Sequence, residues 1–395
     1  MRKTSVALVT LGLLVFAGLL QAQQVCPGLP YVANTPEDEL MQAVNGADKP
    51  EEQIAALDKY AQAHADAKFM PCVDEYYTMA YLKLNNYDKV VEYGEKGLAG
   101  KYKDVMLVTN TLKGYVASGK VSDSAFDIIT IAPALIADES KSARPPNVSD
   151  ADWQKAQEES AAQAKDELAY VAYADLQLCS RITDPAKRIA QLDQYAKTFP
   201  DDAAKNAGQL NFDYFKAYQM SNNAEKAVEY GEKTVAADPN NLEVYDFLAY
   251  AYAMGRTNPD KAVEYAKKAV ELAQQWKKPE GASDDQFKQA QNNEMGMAHL
   301  SLGYVAFTKA ATSKSKKLSP AIEELKTAAD LLGSNPELQG QALYYLAYAY
   351  ESGYPANHRG AMEALTKASS LQCSVKPQVD DLLGKVKKAV KEASE

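Results

Sequence analysis

Three histidines (His64, His299, His358) and four cysteines (Cys26, Cys72, Cys179, Cys373) are the residues best suited to metal or nucleophilic chemistry, and their spacing serves neither. A metal site built from sequence-near ligands needs pairs such as Cys-x-x-Cys or two histidines one helical turn apart. Here the histidines are isolated from one another and from the cysteines. Carboxylates do stand side by side, at Glu158-Glu159 and Glu323-Glu324. Neighbouring helical residues diverge by about 100°, so such pairs face water rather than one substrate. No Gly-rich phosphate loop follows a strand, and there is no nucleophile elbow. The pattern argues against an enzyme and implies no cofactor and no metal. A Ser/His pair assembled across helices would leave no mark in sequence order.

Tyrosine is the compositional bias that carries information, with 25 against nine phenylalanines. It suits positions where the ring is packed while the hydroxyl reaches water or a partner. That is the chemistry of recognition, and it needs elements that hold the rings in register.

Those elements are repeated. Val91-Glu92-Tyr93-Gly94-Glu95-Lys96 recurs letter for letter at positions 228–233. Ile54-x-x-Leu57-Asp58-x-Tyr60-Ala61 returns as Ile189-x-x-Leu192-Asp193-x-Tyr195-Ala196, and Tyr77 and Tyr81 are matched by Tyr214 and Tyr218. Nearly every segment has a helical period and none alternates as a strand. Proline marks the starts, at Thr35-Pro36, Lys49-Pro50, Asp184-Pro185, Asn258-Pro259, Ser319-Pro320, Asn335-Pro336 and Lys376-Pro377, where its missing N–H does no harm. The breaks between helices are short, as at Asn85-Asn86 and Ser221-Asn222-Asn223, so consecutive helices are antiparallel neighbours. Gly94 and Gly231 sit inside helices, which costs about 1 kcal/mol against alanine. A neighbouring helix that needs the missing volume would explain both. Residues 150–180, begun by Ser149 and Asp152, and residues 284–312 read as two helices of about twice the ordinary length.

The hairpin over 242–271 carries Tyr245-x-x-Leu248-Ala249-x-x-Tyr252 and then Ala262-x-x-x-Ala266-x-x-Ala269. Leu343-x-x-Leu346-Ala347-x-x-Tyr350 with Ala361-x-x-x-Leu365-x-x-Ala368 repeats it, and Asp238-Pro239-Asn240-Asn241 precedes the first copy as a linker. This resembles the tetratricopeptide repeat, of the exported bacterial type. Residues 81–90 and 227–239 resemble it too, whereas 105–131 fits only by length and period. The resemblance implies an all-α solenoid of antiparallel helix hairpins, a right-handed superhelix with two longer helices and a C-terminal capping helix. It also implies that residues two, five, nine and twelve of each first helix face a concave groove. Those residues are Phe212 and Lys216 in one repeat, Glu243, Asp246 and Tyr250 in the next, and Tyr344, Tyr348 and Glu351 in a third. They would make an aromatic and acidic trough for an extended peptide or a glycan, or else an ordinary half-buried helix surface. Tyr81, Tyr218, Tyr252 and Tyr350 fall instead on the family's packing positions.

Residues 1–22 read as an export signal, with Arg2 and Lys3 ahead of the apolar run 6–20. A lone membrane anchor needs roughly 20 apolar residues, and a lipid anchor at Cys26 would need small residues in place of Gln23-Gln24-Val25. Without Arg2 and Lys3 the 43 basic residues fall to 41 against 53 acidic ones, a net charge of about −12. That excludes a phosphate-backbone binder driven by counterion release and disfavours anionic lipid. The basic runs at 314–317 and 385–388 read as solvated faces. An exported, periplasmic or secreted chain invites disulfides. Cys26 and Cys72 are candidates to pair, whereas Cys179 and Cys373 stand too many repeats apart.

The organisation expected is a signal at 1–22, an N-terminal sub-array at 23–137, a linker at 138–150, a C-terminal sub-array at 151–375, and a capping helix and tail at 376–395. The function expected is a non-enzymatic scaffold that binds other envelope proteins or peptides, not nucleic acid, without an integral membrane segment once the signal is removed. The alternative is a glycan- or small-ligand-binding envelope protein using the groove tyrosines.

Overall fold

The computed structural model describes residues 32–100, 104–139, 141, 144, 148–313 and 317–392. The expected export signal, Cys26 and part of the 138–150 segment lie outside the described residues. Among the described residues there are eighteen α-helices and no strand. Among the described residues no helix is long and apolar enough to cross a membrane. The chain divides after Arg181 into two compact units.

The first unit holds α1 (Pro36–Gly46), α2 (Pro50–Ala63), α3 (Met70–Lys83), α4 (Tyr87–Leu98), α5 (Val105–Ser118), α6 (Asp123–Glu139) and α7 (Asp150–Cys179). Each helix packs on the next, and α3 also meets α5 while α5 meets α7. The expected sub-array border at 138–150 thus falls inside this unit, because α7 packs on α5 and α6. Leu57, Tyr77, Leu107, Leu112, Tyr115 and Leu178 are among its largest fully buried side chains. Of the 30 residues of α7, the buried ones begin only at Val171, so its N-terminal half projects into solvent. Ser149 caps that helix by accepting from the Asp152 backbone N–H, and its hydroxyl donates back to the Asp152 carboxylate. Cys72 is buried and disulfide-bonded, and the buried Cys179 thiol donates to Asp175 Oδ1 at 3.4 Å.

The second unit holds α8 (Pro185–Thr198), the short α9 (Pro200–Lys205), α10 (Ala207–Met220), α11 (Ala224–Ala237), α12 (Leu242–Gly255), α13 (Pro259–Gln275), α14 (Asp284–Thr312), α15 (Ser319–Leu331), α16 (Pro336–Glu351), α17 (His358–Ser369) and α18 (Lys376–Glu392). Pairs α10/α11, α12/α13, α14/α15 and α16/α17 are antiparallel hairpins, and α18 closes the series against α17. Val379, Leu383 and Val386 of α18 are buried, leaving Lys385, Lys387 and Lys388 exposed as the expected solvated face. Ala249, Ala262, Ala266 and Ala269 are fully buried between α12 and α13. Leu346, Ala347, Ala361, Leu365 and Ala368 occupy the equivalent places between α16 and α17. The small side chains permit the close approach that the tetratricopeptide-like pattern calls for. Cys373 is a half-buried free thiol.

The asparagine doublets explain the tight hairpin turns. Asn85 and Asn222 take φ of 53° and 56°, a left-handed conformation that asparagine tolerates better than other side chains. The following Asn86 and Asn223 then cap α4 and α11, each side-chain oxygen accepting from the backbone N–H three residues on. Asn241, Asn258, Asn335 and Asn357 cap α12, α13, α16 and α17 in the same way. Each such cap contributes about 1 kcal/mol.

Candidate functional site

In the second unit the first helices of successive hairpins meet through their side chains and form one continuous wall. Phe215 of α10 sets its ring edge-on to Phe247 of α12 at 5.0 Å, and Lys216 pairs with Glu243 at 2.5 Å. Between α12 and α14, the Arg256 guanidinium donates to the Tyr304 hydroxyl at 2.9 Å. Between α14 and α16, Tyr304 meets Tyr345 at 4.7 Å and Phe307 meets Tyr348 at 5.8 Å. The Tyr250 hydroxyl donates to Gln341 Oε1 at 2.8 Å, tying α12 to α16.

The residues expected in a groove fall into three groups on this wall. Phe212, Lys216 and Glu243 lie together, the Lys216 ammonium 5.9 Å from the Phe212 ring while it pairs with Glu243. Tyr344 and Tyr348 lie together at 6.0 Å, and Tyr348, at 45% exposure, is among the most exposed large apolar side chains of the unit. The others are committed elsewhere. Asp246 is fully buried rather than groove-facing, because α14 covers that face of α12. Burial, and then the neighbouring Glu294, hold its carboxyl well above the usual carboxylate range. Tyr250 is engaged with Gln341, and Glu351 accepts from His358 at 3.0 Å across the turn into α17. Sequence order gave no sign of Phe307, Gln341, Arg256 or Glu294, because each belongs to the site only through contact with a different helix, distant along the chain.

The duplicated strings build the same side-chain cluster once in each unit. The Tyr77 hydroxyl donates to Asp58 at 2.6 Å, and the Tyr214 hydroxyl to Asp193 at 2.6 Å. Tyr77, Tyr81 and Tyr93 stack nearly parallel, as do Tyr214, Tyr218 and Tyr230. Burial, and then the hydrogen-bonded aspartate, raise the Tyr77 and Tyr214 hydroxyls well above the ordinary tyrosine value, so both stay protonated donors. Lys89 pairs with Glu92 beside one stack, and Lys226 with Glu229 beside the other. One ring of each three is packing, since Tyr77 and Tyr214 are buried; Tyr81, Tyr93, Tyr218 and Tyr230 are only half-buried.

The first unit carries a polar line that the sequence did not single out. Lys113 of α5 donates to Asn110 Oδ1 at 3.4 Å, Asn110 donates to Thr78 Oγ1 at 3.4 Å, and Thr78 donates to the Glu75 carbonyl at 2.6 Å. The Lys113 amine also stands 5.8 Å from the Tyr170 ring of α7. Its crowded surroundings lower the amine's proton affinity, partly offset by Glu167.

Among the described residues no group of three histidine, cysteine or acidic side chains is placed to hold a metal ion. Glu158 and Glu159 are exposed on the projecting half of α7. No protein-family model matches the chain, and no curated protein matches it. Solved structures do show likeness. One is titled the APC/C hetero-tetramer Cut9-Hcn1, at 12% identity over 90% of this chain and 91% of that one, with a TM-score of 0.28. Yeast Tom70 is at 15% identity over 90% and 88%, with a TM-score of 0.23. Naa15/Naa10 bound to HypK-THB is at 13% identity over 91% and 56%, with a TM-score of 0.23.

Proposed function

We propose that this chain is an exported, non-enzymatic interaction scaffold whose second unit grips an extended segment of an envelope protein along the wall of first helices. The observation that carries the reading is the row of half-buried and exposed rings on that wall, Phe212, Phe307, Tyr344 and Tyr348, with the Lys216–Glu243 pair at one end. Rings held by neighbours lose little freedom on binding, so their contact area converts to affinity efficiently. The helices beneath are fixed by buried alanines and asparagine caps, which gives the wall a defined spacing. The adjacent carboxylates do not converge on one point: Glu158, Glu159 and Glu323 are exposed, and Glu324 is engaged by His299 at 2.5 Å.

A second reading, glycan binding, is favoured by the two stacked tyrosine clusters, whose ring edges and flanking Lys–Glu pairs recur in both units. The two readings separate by site. A photo-crosslinking residue at position 348 should capture protein from an envelope extract, whereas one at the exposed Glu264 of α13 should not. Tyr348→Ala combined with Lys216→Ala is expected to weaken the captured partner about tenfold or more with the melting temperature unchanged. Equal crosslinking at 264 and 348 would remove the wall from consideration.

A further inference from the structure

Arg256 closes α12 in a backbone conformation that its own side chain makes costly. Its φ is 52°, and the other described non-glycine residues with a positive φ, Asn34, Asn85 and Asn222, are all asparagine. Glycine takes such a helix-ending position without a steric penalty. What the arginine gains is a fixed placement across the neighbouring hairpin. Its Nε donates to the Tyr304 hydroxyl at 2.9 Å, and the guanidinium stands 5.6 Å from the centre of the buried Tyr304 ring. A basic residue at the C-terminal end of a helix also complements the helix dipole. That role asks for neither the left-handed backbone nor the bond to Tyr304.

The guanidinium borders a cleft of about 180 Å³ between the α12–α13 turn and the last turns of α14. Ala253, Pro259 and Val305 give the cleft apolar walls, and Thr308 and Lys309 stand at its edge. The Lys309 ammonium is already paired with Asp260 at 2.8 Å. Arg256 is the uncompensated cation, since among the described residues no carboxylate pairs with it. With Nε committed to Tyr304, its free edge is the two Nη groups, whose parallel N–H bonds match the oxygens of a carboxylate. The volume lies below the roughly 300 Å³ at which small-molecule pockets begin, so the cleft suits one side chain better than a free metabolite. A phosphate would press oxygens against the apolar walls, whereas a glutamate would lay its methylenes there.

We propose that this cleft holds an acidic side chain, a carboxylate on an aliphatic stem, of the segment that lies along the wall. Arg256 is its bidentate partner, and Ala253, Pro259 and Val305 surround the stem. The assignment rests on the scaffold reading and adds to it the chemistry of one partner residue. The cleft is continuous with the row of rings, because Tyr304 meets Tyr345 at 4.7 Å and Tyr345 meets Tyr344 at 5.4 Å. Rings alone leave an extended segment free to slide by a residue or two. One charge-assisted contact beside them fixes its register.

Butyrate, a carboxylate on a short aliphatic stem, is the probe, titrated into the isotope-labelled full chain at constant ionic strength. The Arg256 Nε–H and Thr308 amide resonances should shift saturably, with a dissociation constant on the order of millimolar. Butyramide, which lacks the charge, should leave both in place. Arg256→Gly suits the positive φ and should fold, and its Thr308 resonance should respond to butyrate about tenfold more weakly or less. Arg256→Gln replaces it if the glycine loosens the turn. In the capture from position 348, Arg256→Gly should lower partner affinity by a similar factor. The proposal is overturned by an unsaturable response to butyrate, by an equal response in wild type and Arg256→Gly, or by tighter binding of inorganic phosphate than of butyrate. Capture at position 348 that Arg256→Gly leaves unchanged overturns it as well. A wild-type chain that binds butyrate saturably yet captures nothing at position 348 would instead strike the scaffold reading and leave the carboxylate cleft standing.

Discussion

Arg188→Ala should cost the second unit about 3–5 kcal/mol. Arg188 of α8 and Asp213 of α10 form an ion pair that is almost wholly buried, with side chains 8% and 1% exposed. Gln209 completes the arrangement by donating to the second oxygen of Asp213 at 2.9 Å. Removing the arginine leaves that carboxylate in the core with one amide as its partner. At roughly 2–4 °C per kcal/mol for a unit of this size, the melting temperature should fall by about 10 °C. The deficit should also depend on pH. Burial already pushes the Asp213 carboxyl up, and Gln209 and Arg188 counter it. Without the cation the folded state favours the protonated acid more strongly, so the variant regains stability at acid pH and loses it toward neutrality. Replacing both partners, Arg188→Met with Asp213→Leu, should cost far less than Arg188→Ala alone, since a matched apolar pair leaves no buried charge. Circular dichroism melts at pH 4.5 and 7.5 decide this. A single variant that melts within a degree of wild type would mean the pair is hydrated in solution.

The helices were legible in the sequence because their ends are written in local chemistry. Proline–helix starts at residues 36, 50, 185, 259, 320, 336 and 377, and the two long helices at 150 and 284, depend on residues within one turn of the boundary. The asparagine doublets marked the turns for the same reason. What the sequence did not reveal is which side of a first helix stays open. Asp246 and Tyr250 stand where the repeat resemblance implied a groove, yet α14 covers the one and Gln341 engages the other. The depth of a groove is set by how far the next helix swings across it, and that depends on packing between residues far apart along the chain. The Tyr77–Asp58 and Tyr214–Asp193 bonds lie between these cases. All four residues stood out as repeated, and only the fold shows that they repeat as bonded pairs.

The same six-letter string should respond in opposite ways to the same substitution. Gly94→Ala is expected to destabilise the first unit by about 1–3 kcal/mol, whereas Gly231→Ala should leave the second unit unchanged or more stable by up to about 1 kcal/mol. At Gly94 an added methyl would collide with Thr111 Oγ1 and lie 2.8 Å from Thr111 Cβ. Thr111 is fully buried on α5 and its hydroxyl donates to the Leu107 carbonyl at 2.6 Å, so the side chain cannot turn away without losing that bond. A methyl added at Gly114 of α5 would meet Val90 of α4 just as closely, at 2.8 Å, and the two contacts together fix how near the helices lie. At Gly231 the nearest atoms are Leu248 Cδ2 at 3.1 Å and Val244 Cγ1 at 3.3 Å. These are ends of apolar side chains that can give by a few tenths of an ångström. Alanine there also recovers the helix propensity that glycine lacks. Urea titrations of the two variants beside wild type provide the test. Equal destabilisation at both positions would mean that α11 and α12 approach each other as tightly as α4 and α5, and that the duplicated string marks one packing geometry rather than two.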